Sequence, residues 1–239
     1  ARAVRILSRA KPRHDETALH RTLDLATSIL SGLGFAPDAA ALIATDDPDV
    51  LGAALAAITP GAAVAQPATF LPVGAKRQVQ RLALRELHAV APAPQQRITL
   101  PEGAPMGRVM VREEGCTLCL ACVSACPTAA LAANPERPEL RFAEDLCVQC
   151  GLCAKTCPEK VISLEPRLDF AALDSSAVTL KQEDPYPCDR CGKHFGTRAT
   201  IEKIRAKLSG THWTFSGGNA PRLTLIGRCA DTRVIAATQ

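Results

Sequence analysis

The sequence predicts an α+β protein made of three segments, and three observations support this prediction. Residues 1–100 contain no cysteine and are rich in alanine and leucine, with strand-like and helix-like stretches in alternation. Residues 101–165 hold eight of the 11 cysteines in two copies of one motif. Residues 181–239 form a basic segment that carries the other three cysteines. A chain of 239 residues has room for two or three domains of this kind.

Residues 1–100 are predicted to form a helical or small α/β domain. The stretches 20–33 and 75–89 both place leucine, valine, isoleucine or alanine side chains on one stripe of a helix. Between them, residues 41–45 resemble a short buried strand. Asp47 and Pro48 form a helix-start signal for residues 50–58. The alternation of strand and helix favours an α/β unit, and the proline-rich stretch 91–105 is predicted to connect it to the next domain.

The middle segment contains an internal repeat. The motif C-x2-C-x2-C-x3-C-P begins at Cys116 and recurs, offset by 31 residues, at Cys147. Short strand candidates precede the copies at residues 108–112 and 139–142, and others follow them at residues 129–132 and 161–164. This resembles the two-fold β-α-β pattern of a small ferredoxin.

The spacing of the eight cysteines predicts two [4Fe–4S] clusters. Three cysteines in one loop can bind three irons of a cluster, and the fourth, at the start of a helix, binds the other cluster. The predicted ligands of the first cluster are Cys116, Cys119, Cys122 and Cys157. Those of the second are Cys147, Cys150, Cys153 and Cys126. Zinc prefers two C-x2-C pairs and has no use for the third cysteine of each loop.

Complete sets of four thiolates favour electron transfer without chemistry at the iron. No nucleophile–base pair, phosphate-binding loop or dinucleotide motif occurs, so we expect no catalytic site in this chain. The net charge of −3 over residues 101–165 favours low reduction potentials.

The C-terminal cysteines resemble part of a zinc ribbon. Cys188 and Cys191 form a C-x2-C-G knuckle, and Cys229 follows at a suitable distance, but Thr232 stands where a fourth cysteine would complete the site. Zinc bound by these three cysteines would need a fourth ligand, for which the candidates are His194, His212, Asp231 or a group from outside the chain. A third iron–sulfur cluster and a ribbon that has lost its metal are the alternatives. Residues 211–215 and 222–227 are expected to pair as strands of this ribbon, with Trp213 packed against them.

The basic residues of the predicted helix 75–89 have two interpretations. Arg77, Arg81 and Arg85 follow one another at a spacing of four residues and therefore share one helix face. They can form an ordinary solvated face, or they can form a docking surface for an acidic redox partner.

The wider sequence resembles a known family. The strings CTLCLACVSACPTAAL, CVQCGLCAKTCPEKVISLEPRLDF and PYPCDRCGKHFGTRATIEKI are similar to multi-cluster ferredoxin-like proteins of bacteria that accompany molybdenum- or tungsten-containing formate dehydrogenases. The resemblance implies electron transfer as the iron–sulfur subunit or carrier of an oxidoreductase complex. It also implies a second C-x2-C pair at the C-terminus, from which Thr232 departs.

Composition limits the classes of partner and the cellular compartment that we expect. A net charge of +4 gives no reason to expect nucleic acid, and the alanine-rich stretch 52–75 is too weakly apolar for a membrane span. No signal-peptide pattern occurs at the start, so we expect a cytoplasmic protein. The expected partner is a catalytic oxidoreductase subunit. The alternative function is an accessory protein that reduces a client enzyme during its maturation.

Overall fold

The computed structural model describes residues 3–11, 14–59, 67, 69–211 and 213–237. The strands are β1 (Val4–Ser8), β2 (Ala40–Ala44), β3 (Arg97–Thr99), β4 (Gly107–Val111), β5 (Leu131–Ala133), β6 (Glu139–Phe142), β7 (Ile162–Asp169), β8 (Val178–Gln182), β9 (Pro185–Pro187) and β10 (His194–Thr197). The α-helices are α1 (Thr17–Gly32), α2 (Pro48–Ala56), α3 (Lys76–Ala89), α4 (Ala121–Ser124), α5 (Leu152–Thr156), α6 (Arg198–Leu208) and α7 (Ala230–Ala237). Three 3₁₀ helices cover Glu144–Leu146, Trp213–Phe215 and Gly217–Gly227. This mixture confirms the predicted α+β class.

The chain divides into two compact units. Unit 1 comprises Ala1–Arg108, Glu144–Gln149 and Glu165–Ser175, and unit 2 comprises Val109–Ala143, Cys150–Leu164 and Ser176–Gln239. Both units therefore contain parts of the cysteine module. The division into domains of residues 1–100, 101–165 and 181–239 stays a prediction.

Unit 1 begins with a parallel pair of strands. Val4 of β1 lies opposite Ala40 of β2, and Ser8 lies opposite Ala44. Parallel neighbours need a crossover connection, which α1 supplies. The strand predicted at residues 41–45 and the helices predicted at 20–33, 50–58 and 75–89 are present with small shifts of their ends, whereas β1 was not predicted.

Helix α2 begins at the cap that the sequence indicates. The Asp47 carboxylate accepts hydrogen bonds from the backbone N–H groups of Asp49 at 2.8 Å and Val50 at 3.4 Å. We expect Asp47→Ala to destabilise the protein by about 1 kcal/mol because these donors lose their partner. The measurement is the thermal unfolding temperature. Asp47→Asn keeps a capping oxygen and should lose much less, so equal losses in the two variants would contradict the cap.

The core of unit 1 is mostly aliphatic. Leu33, at the end of α1, is 0% exposed, and Leu168 of β7 is 1% exposed. The other buried members are Ile29, Ile98, Leu100, Ala104, Met106, Phe170 and Leu173. β7 pairs with β3 antiparallel, with Ile98 opposite Leu168. Residues 167–169 of β7 therefore form part of the sheet of unit 1.

Unit 2 contains an antiparallel sheet in the order β5-β6-β8 and a hairpin of β9 and β10. Leu140 and Phe142 of β6 are 1% and 2% exposed. The β9–β10 hairpin flanks Cys188 and Cys191.

The hairpin predicted for residues 211–215 and 222–227 is wrong. Residues Trp213–Phe215 and Gly217–Gly227 form 3₁₀ helices instead of strands, and Trp213 is 75% exposed. Alternation over five or six residues is a weak strand signal, and Pro221 removes a backbone donor that a sheet ladder would use.

A buried carboxylate stabilises β6. Glu139 is 2% exposed and accepts hydrogen bonds from the Thr179 hydroxyl at 2.5 Å, from Asn134 Nδ2 at 2.7 Å and from Arg137 Nε at 2.9 Å. These hydrogen bonds, that of Thr179 foremost, lower the pKa of Glu139 from 4.5 to about 2. The ionised form is therefore the one that the fold prefers.

This shift predicts a pH dependence of stability. A lowered pKa contributes stability that is fully present above pH 4.5 and is lost as the pH falls towards 2. We expect Glu139→Gln to lower the unfolding temperature at pH 7, and we expect the gap to the unchanged protein to narrow below pH 4.5. Comparing the two proteins at each pH removes effects common to both, and Glu136→Gln, on the exposed turn before β6, is the control. A gap that stays constant with pH would refute the assignment.

In the part of the chain that the structure describes, no helix combines the length and the apolar character needed to cross a bilayer.

Candidate metal centres

The two copies of the cysteine motif share their backbone conformation as well as their spacing. In the first copy the left-handed residues are Leu118, Leu120 and Ala129, with φ of 51°, 60° and 54°. In the second copy they are Gln149, Gly151 and Lys160, with φ of 54°, 77° and 52°. Each pair of positions is offset by the same 31 residues as the cysteines. All non-glycine residues with positive φ in the described ranges lie in these two loops. The left-handed conformation is unfavourable for residues other than glycine, and strained residues of this kind are concentrated at functional sites.

Unit 2 contains a cavity surrounded by the first predicted set of ligands. Cys116, Cys119, Cys122 and Cys157 all line it. Leu140 and Val161, both buried, supply apolar walls. Cys157 belongs to the second copy of the motif, so the structure brings the last cysteine of one copy to the loop of the other. Four thiols around one apolar cavity suit the chemistry of a [4Fe–4S] cluster.

The thiols at this cavity influence one another. Burial, followed by the proximity of Cys116 and Cys119, raises the pKa of Cys122 to about 11. Such crowding of sulfur atoms is unfavourable for free thiolates and is relieved when a metal replaces the protons. The donor set therefore fits a metal centre better than it fits free thiols.

Cys126 has a different environment in the same unit. Burial opposes its ionisation, but the backbone N–H groups of Leu131, Thr128 and Ala130 point to its sulfur. The Thr128 hydroxyl lies 3.7 Å from the same atom. Together these donors lower the pKa of Cys126. N–H groups directed at a cysteine sulfur stabilise the thiolate form that a cluster ligand requires.

The second predicted set of ligands is divided between the compact units. Cys126, Cys150 and Cys153 belong to unit 2, and Cys147 belongs to unit 1. In unit 1, Gln149 donates a hydrogen bond from Nε2 to the Cys147 sulfur at 3.4 Å. The assignment of these four cysteines to one cluster stays a prediction.

The three arginines of the basic face of α3 each bind a group of unit 1. Arg77 donates to three backbone carbonyls of unit 1, Arg81 pairs with Asp145 at 2.6 Å and Arg85 pairs with Asp174 at 3.2 Å. Sequence periodicity located this face. It could not show that the carbonyls and carboxylates that bind these arginines belong to the same chain.

The three C-terminal cysteines meet in unit 2. The sulfur atoms of Cys188, Cys191 and Cys229 all lie within 4.8 Å of one another. Burial opposes ionisation of Cys188, but the Thr232 hydroxyl and the backbone N–H groups of Cys229, Arg190 and Cys191 lower the pKa of this thiol to about 5. A cysteine that is ionised at neutral pH suits metal binding.

Thr232 lies next to these cysteines. Its hydroxyl is 3.2 Å from the Cys188 sulfur and 3.4 Å from the Cys229 sulfur, and the residue is buried. Asp231 instead pairs with Lys193 at 2.9 Å. His194 is exposed on β10 and is not grouped with the thiols, and His212 lies outside the described residues.

Comparison with known proteins supports the iron–sulfur assignment. Residues 115–162 match the family described as 4Fe-4S dicluster domain, and this range includes all eight cysteines of the repeat. A search of curated proteins finds no match to the chain. Together with the cavity of four cysteines, the family match indicates that residues 115–162 form a ferredoxin-like iron–sulfur domain suited to electron transfer.

Proposed function

We propose that this protein transfers single electrons through two [4Fe–4S] clusters. Cys116, Cys119, Cys122 and Cys157 bind the first cluster, and Cys147, Cys150, Cys153 and Cys126 bind the second. The observation that carries the proposal is the cavity of unit 2, because four thiols from two separate loops line it. Each cluster has its full set of thiolates, so electrons pass without substrate binding at iron.

The direct test is metal analysis and redox titration of protein purified without oxygen. About eight irons per chain and two reversible one-electron signals are expected. About four irons, or iron with no reversible signal, would overturn the proposal.

Within this function, the protein serves as an iron–sulfur subunit or carrier of a cytoplasmic oxidoreductase complex. The segments on either side of the motif are each longer than the motif itself, and a free carrier needs neither. The family resemblance favours a formate dehydrogenase as the catalytic partner.

Affinity purification from the native organism tests the assembly. Stoichiometric recovery with a catalytic oxidoreductase subunit supports this role. Transient binding to an immature apoenzyme would instead support the accessory role in maturation.

The C-terminal thiols have a separate role, which is to bind a structural zinc ion. Cys188, Cys191 and Cys229 provide three ligands, and the proximity of their sulfur atoms supports this assignment. The Thr232 hydroxyl stands beside two of these sulfurs, where a fourth protein ligand would be expected. Zinc would hold β9 and β10 to the start of α7.

The test is zinc analysis alongside iron. One zinc per chain is expected in the unchanged protein and none in a Cys188→Ala variant. Thr232→Cys completes four thiolates, so this variant should release zinc to a chelator more slowly. Thr224→Cys, at an exposed position of the 3₁₀ helix, is the control. Absence of zinc from both the unchanged protein and Thr232→Cys would refute the site.

A further inference from the structure

Each copy of the cysteine motif is bound by a cation from outside the repeat. In unit 2, Lys181 of β8 donates from Nζ to the carbonyl oxygen of Cys116 at 2.6 Å and to that of Glu113 at 2.9 Å. Cys116 is the first cysteine of its loop, and its sulfur lines the cavity of four thiols. The Lys181 side chain is 11% exposed, so its charge is held at the loop.

Unit 1 repeats this arrangement with a different residue. Arg77 of α3 donates from Nη2 to the carbonyl oxygen of Cys147 at 2.8 Å and from Nε to that of Asp145 at 3.1 Å. Its third group, Nη1, binds the carbonyl oxygen of Pro105 at 2.8 Å. Cys147 is the position equivalent to Cys116 in the second copy. One cation precedes the repeat in the chain and the other follows it, and both bind the same carbonyl of their loops.

The two cations differ in how far carboxylates neutralise them. Lys181 also forms an ion pair with Glu183 at 2.8 Å. In the described part of the chain, Arg77 forms no ion pair, and its donors are all directed at carbonyls. Burial lowers the pKa of Arg77, but a guanidinium stays protonated under all conditions in which proteins fold.

We propose that Lys181 and Arg77 set the reduction potentials of the two clusters, Lys181 for the cluster of Cys116 and Arg77 for the cluster of Cys147. This inference rests on the proposed function. Reduction adds one electron to a cluster and neither forms nor breaks a bond, so the cluster becomes more negative by one charge. A positive charge fixed at the ligand loop stabilises the reduced form more than the oxidised form. The cations are thus positioning and potential-setting residues, and they offset the net negative charge of the module.

The experiment is an anaerobic redox titration with dithionite, followed by electron paramagnetic resonance. Lys181→Met should lower the reduced-to-oxidised ratio of one cluster about tenfold at fixed potential, which is 59 mV for one electron. Arg77→Met should lower that of the other cluster by at least as much, because Arg77 makes no direct ion pair with a carboxylate of the described residues. Lys181→Arg and Arg77→Lys keep the charge and should restore most of each shift.

The controls separate charge from structure. Glu183→Gln removes the counter-charge of Lys181, so it should move the first cluster in the opposite direction, to a more positive potential. Lys207→Met and Arg85→Met remove exposed cations of α6 and α3 that do not bind the loops, and they should move neither signal.

Iron analysis distinguishes failure of this inference from failure of the proposed function. Unchanged protein with about eight irons and two reversible signals upholds the function whatever the variants do. The inference would be overturned if Lys181→Met or Arg77→Met kept its iron but showed no change, or a positive change, in reduction potential. It would also be overturned if both variants changed the potential of the same cluster. If Lys181→Met loses iron, Lys181→Gln, which keeps an N–H donor for the carbonyls, decides the question by the same criteria.

Discussion

Replacing Cys157 together with Cys119 by alanine should leave one cluster with an unperturbed electron paramagnetic resonance signal. Both cysteines line the same cavity of unit 2, so the pair of changes damages one set of ligands only. The other set keeps its four thiolates. Replacing Cys157 together with Cys150 should instead leave no cluster with its full ligand set, because these residues are assigned to different clusters. Either double variant removes two of the eight ligands, so each is a matched control for the other.

The measurement is the spectrum of each double variant after reduction, compared with that of the unchanged protein. If the last cysteine of each motif bound the cluster of its own loop, the two results would be exchanged. The same experiment can be done with Cys126. The double variant of Cys126→Ala and Cys150→Ala should keep one cluster with its full ligand set, whereas that of Cys126→Ala and Cys119→Ala should keep neither. An unperturbed signal in the Cys157 and Cys150 pair would refute the crossed assignment.

Local spacing explains why the cysteine module was predictable. The distance between ligands along one loop is fixed by the geometry of a cluster, so it is visible in the sequence without knowledge of the fold. The left-handed positions were less visible. Gly151 indicates one of them, because glycine readily adopts a positive φ. The equivalent residue of the first copy is Leu120, and leucine does not predict its φ of 60°.

Contacts between distant parts of the chain were not predictable in the same way. Arg77 lies 70 positions from Cys147, and Lys181 lies 65 positions from Cys116. No sequence periodicity links such residues. The contact of Lys181 depends on how β8 packs in unit 2, and that of Arg77 depends on how α3 packs in unit 1. The C-terminal thiols were predictable as a group from their C-x2-C spacing, whereas the position of the Thr232 hydroxyl beside them needed the folded structure.

Arg167→Met should be among the most destabilising single changes in unit 1. The guanidinium of Arg167 binds Glu144 through both carboxylate oxygens, at 2.9 and 2.7 Å, and lies 3.5 Å from Asp169. The side chains of these three residues are 9%, 13% and 6% exposed. Removing the cation leaves the Glu144 carboxylate without its partner at a largely buried position, whereas Asp169 keeps Arg97, and the expected loss is about 3–5 kcal/mol. For a chain of this length that corresponds to a fall of roughly 10 °C in unfolding temperature.

The consequence should extend to the second cluster, because the 3₁₀ helix Glu144–Leu146 leads directly into Cys147. Arg167→Met should therefore also release iron to a chelator faster than the unchanged protein does. Arg97→Met is the control: Arg97 binds the same Asp169 at 2.9 Å but is 61% exposed, so its loss should cost about 1 kcal/mol or less. Adding Glu144→Gln to Arg167→Met removes the uncompensated charge and should recover part of the stability. Equal effects of the Arg97 and Arg167 changes would show that burial of the ion pair does not decide its contribution.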